Sequence, residues 1–409
     1  MKTAVTSIKP FLVGLLAALI LHSTSLNADD WPHWLGPNGD NKVAADDQFD
    51  PNLNNWKIAW QSNVGLGYST VTISNGRAYT MGHDGGSTES VICYDAASGK
   101  MLWEHSYKAQ LIPKMHVGGP NASVTISGDM VYSVSKDGQV YCLMAKTGEE
   151  VWKADLTEVM DIKIPSWGFA SSPLEYKGDM LLSAGKVAAL DKLTGRPSWV
   201  SEHAHHPGYG TPTVFNMGGK DFIAAFDSKG LSILNAANGK EIARHPVRAK
   251  FDLTASTPVV LDGGKSIYIH ANSESDLLSF DGKTLSSKWS NRKLQNSLSG
   301  AILIDGSLYG LNGNHKSKKT QLYSRDFKGG EQYWSVPNFG YASLIAVGGT
   351  LLILTEDGEL VSAEASTRGY NEISRKKLLD AICWTNPVYA NGQIYVRNDH
   401  GVLICLERA

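Results

Sequence analysis

Charge of one sign is what this chain most clearly lacks. Lysine and arginine number 38 against 40 aspartates and glutamates, so the formal charge over 409 residues is −2. No basic stripe stands out, which argues against a nucleic acid partner. An apolar run long enough to span a bilayer as a helix is missing too, because Phe11 to Leu21 is too short. Cysteine is scarce. There are four, no two are adjacent, and no Cys-x-x-Cys-His occurs, so a covalent c-type haem is not expected. Without a Gly-x-Ser-x-Gly elbow or a His-Glu-x-x-His helix, hydrolase chemistry has no support.

What the N-terminus does have is the pattern of a secretory signal. Lys2 and Lys9 precede the short apolar run, and Ala28 suits the residue before a cut. Removing residues 1–28 takes away two lysines and no acids, which moves the charge to −4. The first cysteine is Cys93, so no lipid-anchoring cysteine follows the cut. The expectation is an exported protein, periplasmic or extracellular, with no transmembrane segment in the mature chain.

Beyond the leader the sequence repeats. Asp95-Ala96-Ala97-Ser98-Gly99 reads as a tight turn, followed by a short strand reaching Trp103. Asp191 leads to Trp199, Asp281 to Trp289 and Asp326 to Trp334 at the same offset. Met144 starts a similar turn that leads to Trp152, and Asn235 one that leads to Ala243 in place of tryptophan. The marks at 103, 152, 199, 243, 289 and 334 lie 44 to 49 residues apart. A period in the forties, filled by alternating strands and Asp-Gly hairpins such as Lys136-Asp137-Gly138, predicts propeller blades.

The reading is therefore an all-β, eight-bladed β-propeller of four-stranded antiparallel blades. Its domains are a signal peptide at 1–28, an irregular leader at 29–55 and the propeller at 56–409. The C-terminal run supplies only three strands. The strand around Trp60 has no blade before it, so pairing it with the last blade closes the ring. Blade 7 is the most degenerate, with Ile373 standing in for its tryptophan. The leader, with Trp31 and Trp34, is expected to lie across the ring and cover apolar surface.

These turns and tryptophans resemble the tryptophan-docking repeat of pyrroloquinoline-quinone (PQQ)-type propellers. That family includes quinoprotein alcohol dehydrogenases and the outer-membrane assembly factor BamB. The resemblance implies the fold. It also implies that the face carrying the links between blades holds any cofactor or partner site. Members that use the quinone carry an adjacent cysteine pair and a Glu, Asn and Asp calcium set. This chain has no such pair, and the calcium set maps to no positions here.

Cys93, Cys142 and Cys405 hold one equivalent position in three blades, where others place Ala189, Ser279, Ser324 and Ser362. Neighbouring blades lie about 10 Å apart, too far for a disulfide. Buried free thiols are expected.

The link residues are the unusual ones. Trp167 enters blade 3, Tyr209 blade 4, His116 blade 2 and Trp384 blade 8, with Tyr68 and Tyr341 at similar positions. Together they suggest an aromatic rim with histidines at the channel mouth, to which the hairpins add His83, Asp84, Asn272, Asn314, His315, Asp399 and His400. Trp167, Trp384, Tyr209 and His116 are the candidate cofactor-binding residues. No catalytic residue is assigned. His203, His205 and His206 are weak metal candidates, since no carboxylate or thiolate at a recognised spacing joins them. Lys108 with Lys114, or Arg248 with Lys250, could clamp an anion, although solvated loop charges are the commoner case.

Two functions follow. The leading one is a non-catalytic binding or scaffold module, BamB-like in use, for an envelope protein or small ligand at the channel face. It would be monomeric and need no cofactor. The alternative is a divergent PQQ-dependent quinoprotein oxidoreductase acting on alcohols or sugars, with PQQ and calcium.

Overall fold

In a computed structural model of the chain, the described residues are 30–409 apart from 115, 203–206, 297, 316 and 318. Eight sheets, each built on four antiparallel strands, make up the ring, and one of them gains a fifth strand. The first blade shows the pattern: Thr72–Ser74, Arg77–His83, Thr88–Asp95 and Met101–Lys108, paired in sequence order. Alternation of buried and exposed side chains grows toward the fourth strand, which is half open to solvent.

The ring closes as the missing strand requires. Trp56–Asn63 pairs antiparallel with Val402–Arg408 and becomes the outer strand of blade 8. The arrangement leaves neither strand with an open edge on its partner's side.

Neighbouring blades meet through the tryptophans. The indole N–H of Trp60 donates to Ala96 O at 2.8 Å, Trp103 to Ala145 O at 3.0 Å and Trp152 to Lys192 O at 3.0 Å. Trp289 and Trp334 do the same to Phe327 O and Ser366 O, at 3.2 and 2.7 Å. Each ring lies over the turn of the next blade, and there glycine is a steric need. A Cβ on Gly148 would sit 2.6 Å from Trp103, and one on Gly99 2.5 Å from Trp60, while both glycines hold positive φ.

Two interfaces lack the indole. Between blades 4 and 5, Phe215, Phe222 and Phe280 fill the space with ring centroids 5.2–6.0 Å apart. Between blades 7 and 8 the leader does so. Phe49, Trp56 and Tyr389 cluster there, and Trp56 donates to Asp50 O at 2.8 Å. Ile373 does not stand in for tryptophan, being 38% exposed. Pairing puts Ser374 opposite Ser362, as Trp103 is opposite Cys93. The blade 7 turn, closed by Glu364 N to Asn371 O, is two residues longer than the Asp95 to Lys100 turn. Ser374 accepts from Leu53 N at 2.7 Å and donates to Pro51 O at 3.2 Å.

Ser279 is likewise displaced. The blade 5 turn is tighter, so Trp289 pairs with Leu277. All four cysteines are buried and free, three of them at or beside a seam between blades.

The leader lies across the ring, running from blades 1 and 2 past blade 5 to blade 7. Trp31 bridges Ile73 of blade 1, and Ile126 of blade 2 donates to Pro32 O at 2.8 Å. Lys42–Val43 then pairs parallel with Ala342–Val347, the innermost strand of blade 7, as its fifth strand. Inner strands present unpaired backbone groups toward the channel, and this segment satisfies some of them. From there it leaves to fill the groove between blades 7 and 8. Among the described residues no helix is long and apolar enough to cross a membrane.

Candidate functional site

The links between blades and the hairpins between second and third strands share one face. A cavity of about 430 Å³ opens there at the channel mouth. Its floor is Trp34, held by a 3.1 Å hydrogen bond from its indole N–H to Thr257 Oγ1. A second cavity of about 330 Å³ lies on the other side of that indole, between the leader and blades 4 to 6. Trp34 thus partitions the channel.

The four candidate residues Trp167, Trp384, Tyr209 and His116 all line the mouth cavity. Several belong to a chain of rings. Tyr341 and His315 meet edge to face, and so do His315 and Trp384, at 6.2 and 4.8 Å between centroids. Trp384 stacks on Tyr68 at 5.2 Å, Tyr68 meets His116 at 5.7 Å, and His116 meets Trp167 at 5.5 Å. Such contacts fix ring orientation as well as adding apolar area.

Carboxylates near the rim hold these rings from behind. Tyr68 donates to Asp399 Oδ2 at 3.2 Å, and Trp384 donates to Glu356 Oε2 at 3.2 Å. Burial and the facing Asp399 hold the Tyr68 phenol far above its usual range, and burial pushes Tyr209 up to about 12. Both phenols are therefore neutral donors near pH 7.

Beneath Tyr68 lies a residue that sequence reasoning missed. Arg397 is wholly buried and donates to the carbonyls of Gly65, Gly67, Ser69 and Met81 and to Thr80 Oγ1, at 2.9–3.2 Å. Burial lowers its pKa to about 10, opposed by Asp399. It pins the link into blade 1 to blade 8. Its place in an ordinary alternating strand, Tyr395-Val396-Arg397, offered no signal.

A second missed feature is a hydroxyl ladder around the mouth. Thr70 N donates to Ser123 Oγ, Ser123 N to Ser172 Oγ and Ser172 N to Thr211 Oγ1, at 2.9–3.0 Å. Each rung joins a blade to the next. The Ser/Thr residues recurring at blade entrances were the available signal.

Aromatic rings and imidazoles make up much of the cavity wall, with Asn121, Asn272 and Asn314 among its polar groups. Lys250 is the one lysine or arginine among the described residues lining it, beside the imidazoles of His116 and His315, and none of these is a carboxylate. Arg248, its suggested partner in an anion clamp, is not among them. His203, His205 and His206 lie outside the described residues. Among the described residues no group of three or more His, Cys, Asp or Glu could hold a metal.

The family model described as outer membrane protein assembly factor BamB, a PQQ-like propeller model, matches residues 87–336. The chain belongs to this family. BamB of Yersinia pestis is 24% identical over 97% of this chain and 87% of its own length. Quinohemoprotein alcohol dehydrogenase ADH IIB of Pseudomonas putida is 29% identical, over 28% of this chain and 17% of that enzyme, so the match spans a small part of it. Among solved structures, the quinohemoprotein alcohol dehydrogenase of Comamonas testosteroni superposes with a TM-score of 0.70 at 14% identity, covering 94% of this chain and 81% of that one. BamB of Moraxella catarrhalis gives 0.61 at 15% identity, over 86% and 97%. At these identities the superpositions speak for the propeller alone.

The quinone with calcium that the family resemblance implies does not fit the mouth described here. The described wall offers no carboxylate to a hard cation that prefers anionic oxygen. A polycarboxylate quinone would face a single lysine.

Proposed function

We propose that this chain is an exported, non-catalytic propeller that binds a ligand or protein at its link face. The signal-like start through Ala28, with the mature chain beginning at Asp29, supports export. The observation that carries the non-catalytic reading is the cavity wall. Rings, amides and one lysine face the cavity, while Asp399 and Glu356 are engaged in holding Tyr68 and Trp384. The described wall offers no carboxylate as a general base, and its imidazoles, His116 and His315, are packed against Tyr68, Trp167, Tyr341 and Trp384. The likeness to the Yersinia pestis protein over nearly the whole chain supports a protein-binding use.

The test is to incubate the purified mature chain with PQQ and calcium and assay dye-linked oxidation of alcohols and sugars. We expect no dye reduction above that of PQQ and calcium alone. Turnover dependent on the protein would replace this reading with the oxidoreductase one.

A further inference from the structure

We propose that the mouth cavity takes a planar aromatic molecule bearing one carboxylate, its ring against Trp167 and Trp384 and its carboxylate on Lys250. The proposal rests on the binding reading above and narrows it to a ligand class.

The ring follows from what the wall has left to give. A hydroxylated ligand needs many hydrogen-bond partners once it is out of water. Here the polar groups are largely committed. The Asn272 carboxamide accepts from Lys250 N and donates to Lys250 O, both at 2.8 Å. The hydroxyls of Ser172 and Thr211 already accept backbone N–H groups. Indole surface remains, and it suits a flat apolar body. The volume of about 430 Å³ lies in the ordinary range for small-molecule sites.

The charge follows from Lys250. The nearest acid in the chain, Asp252, lies 3.3 Å from Lys229 and forms an ion pair with it. With no carboxylate in the described wall, a cationic ligand would find no ion-pair partner and would face the Lys250 ammonium, with only ring faces to attract it. A polyanion would keep charges unpaired on leaving water. A single carboxylate matches the single ammonium.

Phe251 marks the same place independently. It lines the cavity, is 87% exposed, and has φ of 60° and ψ of 23°. Asp252 follows at φ 52°. A bulky residue at positive φ is a backbone outlier, and such strain gathers at ligand clamps. Asn272 grips the backbone of Lys250 from both sides, which fixes the lysine and leaves the next ring free to cover a ligand. Lys250 and Phe251 are then the specificity-determining pair.

Calorimetric titration tests this with 2-naphthoate, the neutral alcohol 2-naphthalenemethanol, the cation 2-naphthylmethylamine, and PQQ. The acid should bind about tenfold tighter than the alcohol, with the amine and PQQ weaker than both. Lys250→Gln should abolish the acid's advantage and leave the alcohol unchanged. Phe251→Ala should weaken acid and alcohol alike, by about fivefold. Both side chains are exposed, so an unchanged melting temperature will show that the variants are folded. Equal binding of acid and alcohol, no binding of the acid, or an advantage that survives Lys250→Gln would overturn the proposal. Dye-linked turnover would defeat the non-catalytic reading while leaving this charge selectivity to be judged by itself.

Discussion

Two seams of the ring have lost the same residue and repaired the loss in different ways. At the blade 4/5 seam, Ala243 stands where other blades carry tryptophan, and three phenylalanines from the two blades close in. At the blade 7/8 seam the position is Ser374, and residues 49–55 of the leader lie in the groove beside Trp56, the first residue of the outer strand of blade 8. The first repair is local, drawing only on the blades that meet. The second recruits a segment more than 300 residues away in sequence, and the small polar residue is an anchor for its backbone. An indole is thus one of several ways to fill a blade interface, and its absence is informative about what else must come there.

The largest effect should come from emptying the borrowed repair. Trp56→Ala removes a ring that is 1% exposed and should cost about 4 kcal/mol, read by denaturant unfolding. Phe222→Ala at the local seam should cost about 3 kcal/mol, since its two ring neighbours can partly collapse. If Phe222→Ala proved the costlier, the leader would be ornament and the contrast would fail. A smaller effect separates adjacent residues. Ser374→Ala should cost about 1 kcal/mol by leaving Leu53 N without its acceptor, while Pro51 O keeps the Ser362 hydroxyl, whereas Ile373→Ala should change stability by less than about 0.5 kcal/mol.

Acid should weigh on blade 5. Burial lowers the pKa of His270 to about 4 from an ordinary 6.5. The unfolded chain therefore binds the extra proton first. Stability from this group is complete above about pH 6.5 and is lost as pH falls toward 4, and His270→Gln should flatten that slope in thermal melts.

Much of the ring was legible because its signals are local. An Asp-Gly hairpin sets pairing within a few residues, and a turn followed by tryptophan at a fixed offset sets the blade period. Misreadings arose where turn length changed. Counting from Glu364 without allowing for the longer turn pointed to Ile373, and the tighter turn after Asp281 pointed to Ser279. The link residues Trp167, Tyr209, His116 and Trp384 could be named in advance because blade order alone puts those segments on one face. Trp34 as floor and Phe251 as rim could not. The path of an aperiodic leader across the ring depends on the shape of all eight blades together. A strained backbone likewise leaves no trace in residue type.

The pairing of Trp56–Asn63 with Val402–Arg408 also has a meaning for biosynthesis. As the chain emerges N-terminus first into the compartment where it folds, blades 1 to 7 can form in turn, but the earliest outer strand must wait, unpartnered, until the last strands have followed. Its open backbone and the exposed Ile58 are then a sticky end for minutes or less of synthesis, which makes that strand the place where a passing chaperone would find most to hold.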